Sequence, residues 1–551
     1  MKKFIFFIFF ISFCFSQKID LRSFKSGKRG DKYRIWIYFK DKADSEKISV
    51  SQKAQQRRLD HGTKSDYSWY DLKVSSKYIN SIQSLGLKIE NKSRWLNAVS
   101  VICSQNDINI MDSLPYVKKI EPVKGFKKKY FEIGEDIHPS SRDFDYGNSQ
   151  AQIEQINVHE LHNQGFTGNG VRILVMDTGF DLTHHALTNI NVIAQWDVIN
   201  NDIQTANEND EEQDIGQDYH GTVVLSTIAA NAPGELVGTA FDAEFLLAKT
   251  EDVSQEIQQE EDDYVSGLEW GEANGADIVS TSLGYLDWYN YSDMDGNTAV
   301  TTIGVDIAVS LGVVCVTAAG NSGNDDWYYI IAPADADSVI SVGAVWENGE
   351  IASFSSHGPT FDGRIKPEVC ARGRYTWCIS GNNSTDYTQA SGTSLSCPLI
   401  AGATALIIQA RPTWSPMEVR ESILMTSSMA DSANNTYGYG IMNAAAAIEY
   451  WSTSGTNELM HLPNNYNIVA AYPNPFNPSI NIEVTSIGTS IIKVSIFSFN
   501  GKFIKNLFHG NIINSTEIIQ WEPDNISSGI YLVRLVNNRK ESVYRKITYI
   551  K

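Results

Sequence analysis

The middle of the chain alternates near-continuous apolar runs with longer stretches of helical character. Val171–Asp177 (VRILVMD), Ala276–Gly284 (ADIVSTSLG), Gly312–Asn321 (GVVCVTAAGN) and Val339–Val345 (VISVGAV) lack the polar alternation of a half-exposed strand. They predict strands buried on both faces, as in a parallel sheet. The run ASGTSLSCPLIAGATALIIQARP is apolar nearly all round, so it predicts a helix through the interior. After it, Ser415, Pro416 and Glu418 have the order of an N-cap, a first-turn proline and a capping box. Strands and helices in alternation predict a doubly wound α/β domain, with a mostly parallel sheet and helices on both faces, over residues 147–452.

The flanks follow other rhythms. Before this region, YRIWIYFKDK (Tyr33–Lys42), a polar helical stretch, WLNAVSVICS (Trp95–Ser104), INIMDSL and VKKIEPV predict a small α+β unit over 31–123. Residues 124–146 turn charged and irregular, the composition of an exposed linker. Beyond about residue 464, proline and asparagine punctuate alternating runs, and Asn500-Gly501 sits between two of them as a hairpin signal, predicting an all-β sandwich over 464–551.

Composition narrows the classes. A chain of 551 residues exceeds one hydrophobic core, so several domains are expected. Its net charge of −20 repels nucleic acid and anionic membrane. The first residues, MKKFIFFIFFISFCFSQ, place two lysines before a short apolar run and read as a signal peptide over 1–17. That run is too short for a spanning helix, so no transmembrane segment is expected in the mature form. Cys14 follows the bulky Phe13, which argues against lipidation. Six cysteines are few for an exported protein of this size. Cys370 and Cys378 are close enough in sequence to close a small loop, whereas Cys103, Cys315 and Cys397 read as buried thiols. No Cys/His cluster has zinc spacing.

Four polar residues stand at predicted element ends. Asp177 closes an apolar strand before Thr178-Gly179, His220 opens a helix of small residues, Ser394 opens the buried helix, and Asn321 follows a strand end. In an open parallel sheet, working side chains gather outside the carboxyl ends of the strands. Aspartic proteases share the Asp-Thr-Gly triplet but need two copies, and no second copy occurs here. His184 and His185 lack a matching glycine context and read as structural.

With VMDTGF, YHGTVV, STSLG, AAGNSG, FSSHGPT, GRIKPEV and SGTSLSCP in that order, the chain resembles a subtilisin-like serine protease, a subtilase. The resemblance implies a catalytic Asp177, His220 and Ser394, with Asn321 as oxyanion donor. It also implies a substrate cleft lined by Ser282, Leu283, Gly284, Ala319 and Gly320. Val223, where many relatives carry a second histidine, is a departure outside the triad. The chemistry implied needs no cofactor, and structural calcium is common in the family. The acidic stretches Asn200–Asp218 and Glu251–Asp263 have no calcium-loop spacing and read as solvated loops. No metal ligand set is assigned.

The 31–123 unit resembles a subtilase propeptide, which implies a zymogen cut within 124–146. The terminal region, through YPNPFNPSINIEV and SSGIYLVRL, resembles the sorting domain of bacterial type IX secretion cargo. The partners implied are protein or peptide substrates, the chain's own propeptide and a secretion machinery. The destination implied is release or surface attachment in a bacterium with a two-membrane envelope. The alternative is a surface-displayed, inactive subtilase-fold adhesin, against which the intact set of four residues argues.

Overall fold

The computed structural model describes residues 24, 28–61, 69–123, 144–254, 259–286, 289–381, 384–450, 466–472, 478–498, 503–523, 526, 529–537 and 542–549. The expected signal peptide, Cys14, the cut region up to residue 143 and the Asn500-Gly501 turn lie outside them. The chain divides into two compact units, 1–454 and 455–551.

The first unit opens with a split βαβ arrangement. Strands β1 (Lys32–Phe39), β2 (Ile89–Ser93), β3 (Ala98–Cys103) and β4 (Val117–Pro122) form an antiparallel sheet in the order β4-β1-β3-β2, extended by a two-residue strand at 28–29. Helices α1 (Gln52–Asp60), α2 (Ser76–Gln83) and α3 (Gln105–Asp112) accompany it. Ile35, Ile37, Val99 and Val101 alternate onto one face, over Tyr78, Ile82, Ile108 and Met111.

The α/β body follows. Strands β5 (Arg172–Asp177), β6 (Asn191–Asp197), β7 (Glu244–Lys249), β8 (Ile278–Thr281), β9 (Val314–Ala318), β10 (Ile340–Val345) and β11 (Val369–Arg372) form one sheet in the order β11-β10-β9-β8-β5-β7-β6, every pair parallel. Between β7 and β8 the chain crosses from one side of β5 to the other, so the carboxyl end of β5 is the switch point where doubly wound sheets open a crevice. Ile173, Val175, Phe245 and Val316 face one core together with α4 (Tyr219–Ala229). Leu174, Met176, Leu246 and Val279 face the other, with α5 (Gln259–Ala273) and α6 (Val300–Ser310).

Helix α7 (Thr393–Ala410) runs through the first of these cores. Among the described residues it is the helix long and apolar enough to cross a membrane, and it is buried in protein. Ser415 caps α8 (Pro416–Thr426) and forms the capping box with Glu418.

One expectation is corrected here. The stretch Glu251–Asp263 is not a solvated loop in its described part. Glu260, Glu261 and Asp262 stand in the first turn of α5 with Asp263 next, and all four are buried, because the β1–β4 sheet packs over them. Cys370 and Cys378, whose pairing the sequence leaves open, are unbonded. They stand on different strands, β11 and β12 (Thr376–Ile379), and donate instead to Tyr437 O and Thr388 O. All five described thiols are unbonded and buried.

The described end of the expected linker packs on the α/β body, with Phe144 and Tyr146 against His162 and Phe241.

The second unit is antiparallel throughout. Strands β14 (Tyr466–Tyr472), β15 (Ile480–Ser498), β16 (Phe503–Trp521), β17 (Gly529–Asn537) and β18 (Ser542–Tyr549) are joined in a single hydrogen-bonded sheet. A separate two-stranded antiparallel hairpin, β12 with β13 (Tyr387–Ala390), belongs to the first unit. The two halves of β15 pair with different neighbours, β14 through residues 481–486 and β17 through residues 492–498. Ile482, Val484, Val494, Val533, Leu535 and Ile547 enclose its core.

Candidate active site

Asp177 is the last residue of β5, held between Lys249 of β7 and the end of β8 and fully buried. Its Oδ1 accepts from Thr178 N at 2.8 Å and faces His220 Nδ1 at 2.5 Å. A carboxylate only accepts, so Nδ1 carries a proton, and in the neutral ring Nε2 is the nitrogen with the lone pair. Gly179, at φ 137°, turns the chain away from the strand, where a Cβ would fall 2.6 Å from Thr205 O.

His220 is the second residue of α4. The glycine after it is dictated by packing, since a Cβ on Gly221 would lie 2.2 Å from Gly179 O and 3.0 Å from Asp177 Cβ. The helix start therefore seats directly on the end of β5.

Ser394 is the second residue of α7. Its hydroxyl donates to Ser282 O at 3.3 Å, while Ser282 Oγ donates to Ser394 O at 2.8 Å. Ser282 follows Thr281, which pairs with Met176, the residue before Asp177. Three distant stretches thus converge on the carboxyl ends of β5 and β8.

Asn321 lies three residues past β9 and is exposed. Its Oδ1 accepts from Thr393 N at 2.8 Å and from Thr393 Oγ1 at 2.9 Å. With the carbonyl end occupied, the amide presents N–H donors on the solvent side, one residue from Ser394. Thr393 was part of the SGTSLSCP motif, but its tie to Asn321 was not readable there.

Of the expected cleft residues, Ser282–Gly284 lie beyond the end of β8, where sheet pairing stops. Ala319 N donates to Val342 O and its carbonyl accepts from Ile331 N. Gly320 N donates to Thr393 Oγ1 and its carbonyl accepts from Ser356 N. These two residues support the wall through a fully engaged backbone. Gln217, unnoticed in the sequence, ties the crevice rim by donating to both Thr178 O and Glu251 O at 2.6 Å.

Other reactive groups stand apart from this set. His184 and His185 contact Asp386 O and Tyr387 OH near the β12–β13 hairpin. Burial pushes the Cys397 thiol, one turn along α7 from Ser394, up to about 12, so it is no nucleophile.

Asp197, Asp202 and Glu208 each bring a carboxylate oxygen within 4.8 Å of the others. Asp197 already takes the Lys249 ammonium at 2.9 Å, two backbone N–H groups and the Asn200 amide.

Known proteins match in three segments. The Subtilase family model matches residues 168–440, a Peptidase S8 propeptide domain of Bacteroidota matches 34–134, and a secretion system C-terminal sorting domain matches 470–551. Subtilisin E of Bacillus subtilis (strain 168) is 31% identical over 378 residues, covering 68% of this chain and 87% of the relative. Subtilisin of Bacillus pumilus is 34% identical over 300 residues, covering 54% and 98%. Alkaline protease of Alkalihalobacillus alcalophilus is 28% identical over 367 residues, covering 66% and 83%.

Proposed function

Because the chain belongs to the subtilase family of serine endopeptidases, we propose that it cleaves peptide bonds through an acyl-enzyme on Ser394, with His220 as general base and Asp177 as its orienting partner. The observation that carries this reading is the His220–Asp177 bond, which leaves Nε2 ready to accept a proton.

Ser394 Oγ attacks the carbonyl carbon of the substrate as its proton passes to His220 Nε2. The 3.3 Å bond to Ser282 O is longer than an ordinary hydroxyl bond and is surrendered at little cost. Charge then grows on the ring beside a carboxylate whose Oδ2 is buried without a hydrogen-bond partner, which favours the imidazolium. The oxyanion takes the Asn321 amide N–H and the Ser394 backbone N–H. His220 returns the proton to the leaving amine, and water repeats the sequence on the acyl-enzyme. Protein groups, side chains together with one backbone N–H, supply this chemistry without a cofactor. Ser282, Leu283 and Gly284 hold the substrate as an added strand.

The protein is a secreted or cell-surface serine endopeptidase made with a propeptide and a C-terminal sorting domain. We place the signal peptide at 1–17, the propeptide at 31–123, the processing region at 124–146, the catalytic domain at 147–452 and the sorting domain at 464–551. The envelope crossed is the two-membrane kind. In full-length Ser394→Ala, secreted from a host without related proteases, the 124–146 region is expected to stay uncut. Trimming there at the wild-type rate would refute self-processing.

A further inference from the structure

The buried acidic turn of α5 exceeds what a helix needs. One or two carboxylates at a helix N-terminus complement its dipole. Here Glu260, Glu261, Asp262 and Asp263 are successive, and Glu251 joins them from the end of β7, all five being buried. Burying carboxylates is costly unless cations or donors meet them. Tyr285 OH donates to Glu251, Tyr289 OH to Glu261 at 2.7 Å, and Asn91 Nδ2 to Asp263 at 2.9 Å. Asp262 has neither oxygen hydrogen-bonded, and its ion partner is Arg34 Nη2 at 3.8 Å.

Arg34 belongs to β1 of the propeptide and is only 5% exposed. Its Nη1 donates to Gln259 Oε1 at 2.6 Å, while Nε and Nη2 have no hydrogen-bond partner. A guanidinium is thus aimed into the acidic turn without filling it.

The turn also borders the crevice. Thr250 N donates to Asp177 O at 2.9 Å, and Glu251 comes next in the chain. Its partner Tyr285 lies three residues past Ser282. The route to the cut starts at the same place, for Val123 N donates to Arg34 O at 2.9 Å. The residues that follow are Lys124-Gly125-Phe126-Lys127-Lys128-Lys129, four lysines within six positions.

From this we infer that the first turn of α5, centred on Asp262 and Glu261, is a subsite for a cationic side chain of the substrate upstream of the cut. In the zymogen Arg34 holds it, and departure of the propeptide opens it to lysine or arginine. The inference rests on the proteolytic reading above.

The test uses enzyme matured from the full chain. Two internally quenched peptides are compared, identical except for lysine or norleucine at positions two to six residues before the cut. The wild type is expected to favour the lysine peptide about ten-fold in kcat/KM at low salt, less at high salt, and Asp262→Asn with Glu261→Gln is expected to bring the ratio near one. Equal rates on both peptides in the wild type, or a ratio that the double variant leaves unchanged, would overturn the subsite. If the double variant does not mature, the wild-type ratio and its salt dependence decide alone. Failure to cleave either peptide would sink the proteolytic reading instead.

Discussion

Ser282 and Ser394 clasp each other through both hydroxyls, each donating to the other's carbonyl, at 2.8 and 3.3 Å. The pair fastens the start of α7 to the end of β8, which lies beside the strand that carries Asp177. The proposed nucleophile at a helix start and a carboxylate at a strand end are thereby fixed relative to each other by the rigid sheet. Rigid elements of this kind give a site better precision than loops.

Asn321 holds Thr393 through its carbonyl and presents its amide donors outward. Asn321→Ala is expected to lower kcat about 10²- to 10³-fold, the usual consequence of losing one oxyanion donor. Asn321→Asp keeps the acceptor for Thr393 but loses the donors, so it is expected to be no better. Near-normal kcat in either variant, by steady-state assay of the mature enzyme, would remove Asn321 from the oxyanion site.

Gly221 has room for no side chain, with Gly179 O 2.2 Å and Asp177 Cβ 3.0 Å from an added Cβ. Gly221→Ala is expected to push His220 off Asp177, costing on the order of 1–3 kcal/mol of stability through overpacking. The displaced base should lower kcat by about 10²-fold. Thermal denaturation and turnover check the two halves separately.

Propeptide release should depend on pH. Burial under the propeptide raises the carboxyls of Asp262, to about 7, and of Asp263 and Glu269, with Arg34 and Arg94 opposing it in part. Raised carboxyls favour the protonated form in the complex, so affinity is full below the ordinary carboxylate range and falls as pH climbs through about 7. His61, buried against Gly312 O, is lowered and acts oppositely, weakening the complex as it charges in acid. Three groups outweigh one. Propeptide bound to the Ser394→Ala catalytic domain is expected to dissociate at least about ten-fold more readily at pH 8 than at pH 5, and the reverse order would contradict this account.

The residues of the candidate site were legible in the sequence because each stands at an element end marked by local chemistry. Asp177 ends a fully apolar run, His220 precedes a glycine and small residues, and Ser394 opens an apolar helix. The acidic turn of α5 was misread as solvated because its burial comes from β1, more than two hundred positions earlier, as Arg34 and Gln259 illustrate. Periodicity within one segment carries no trace of such a partner. Whether Cys370 and Cys378 pair was not legible for a related reason. Their eight-residue spacing suggested a loop, but the chain spends it passing between two different sheets. Gly221 was visible as a motif residue, whereas its cause, the approach of Gly179 O, appears only in three dimensions.

The most direct test of the central claim is labelling of the matured wild type by a fluorophosphonate probe, with the modified residue located by mass spectrometry. The account predicts one adduct, on Ser394, lost in His220→Ala. An unlabelled Ser394 in enzyme that still cleaves peptides, or an adduct on another serine, would contradict it.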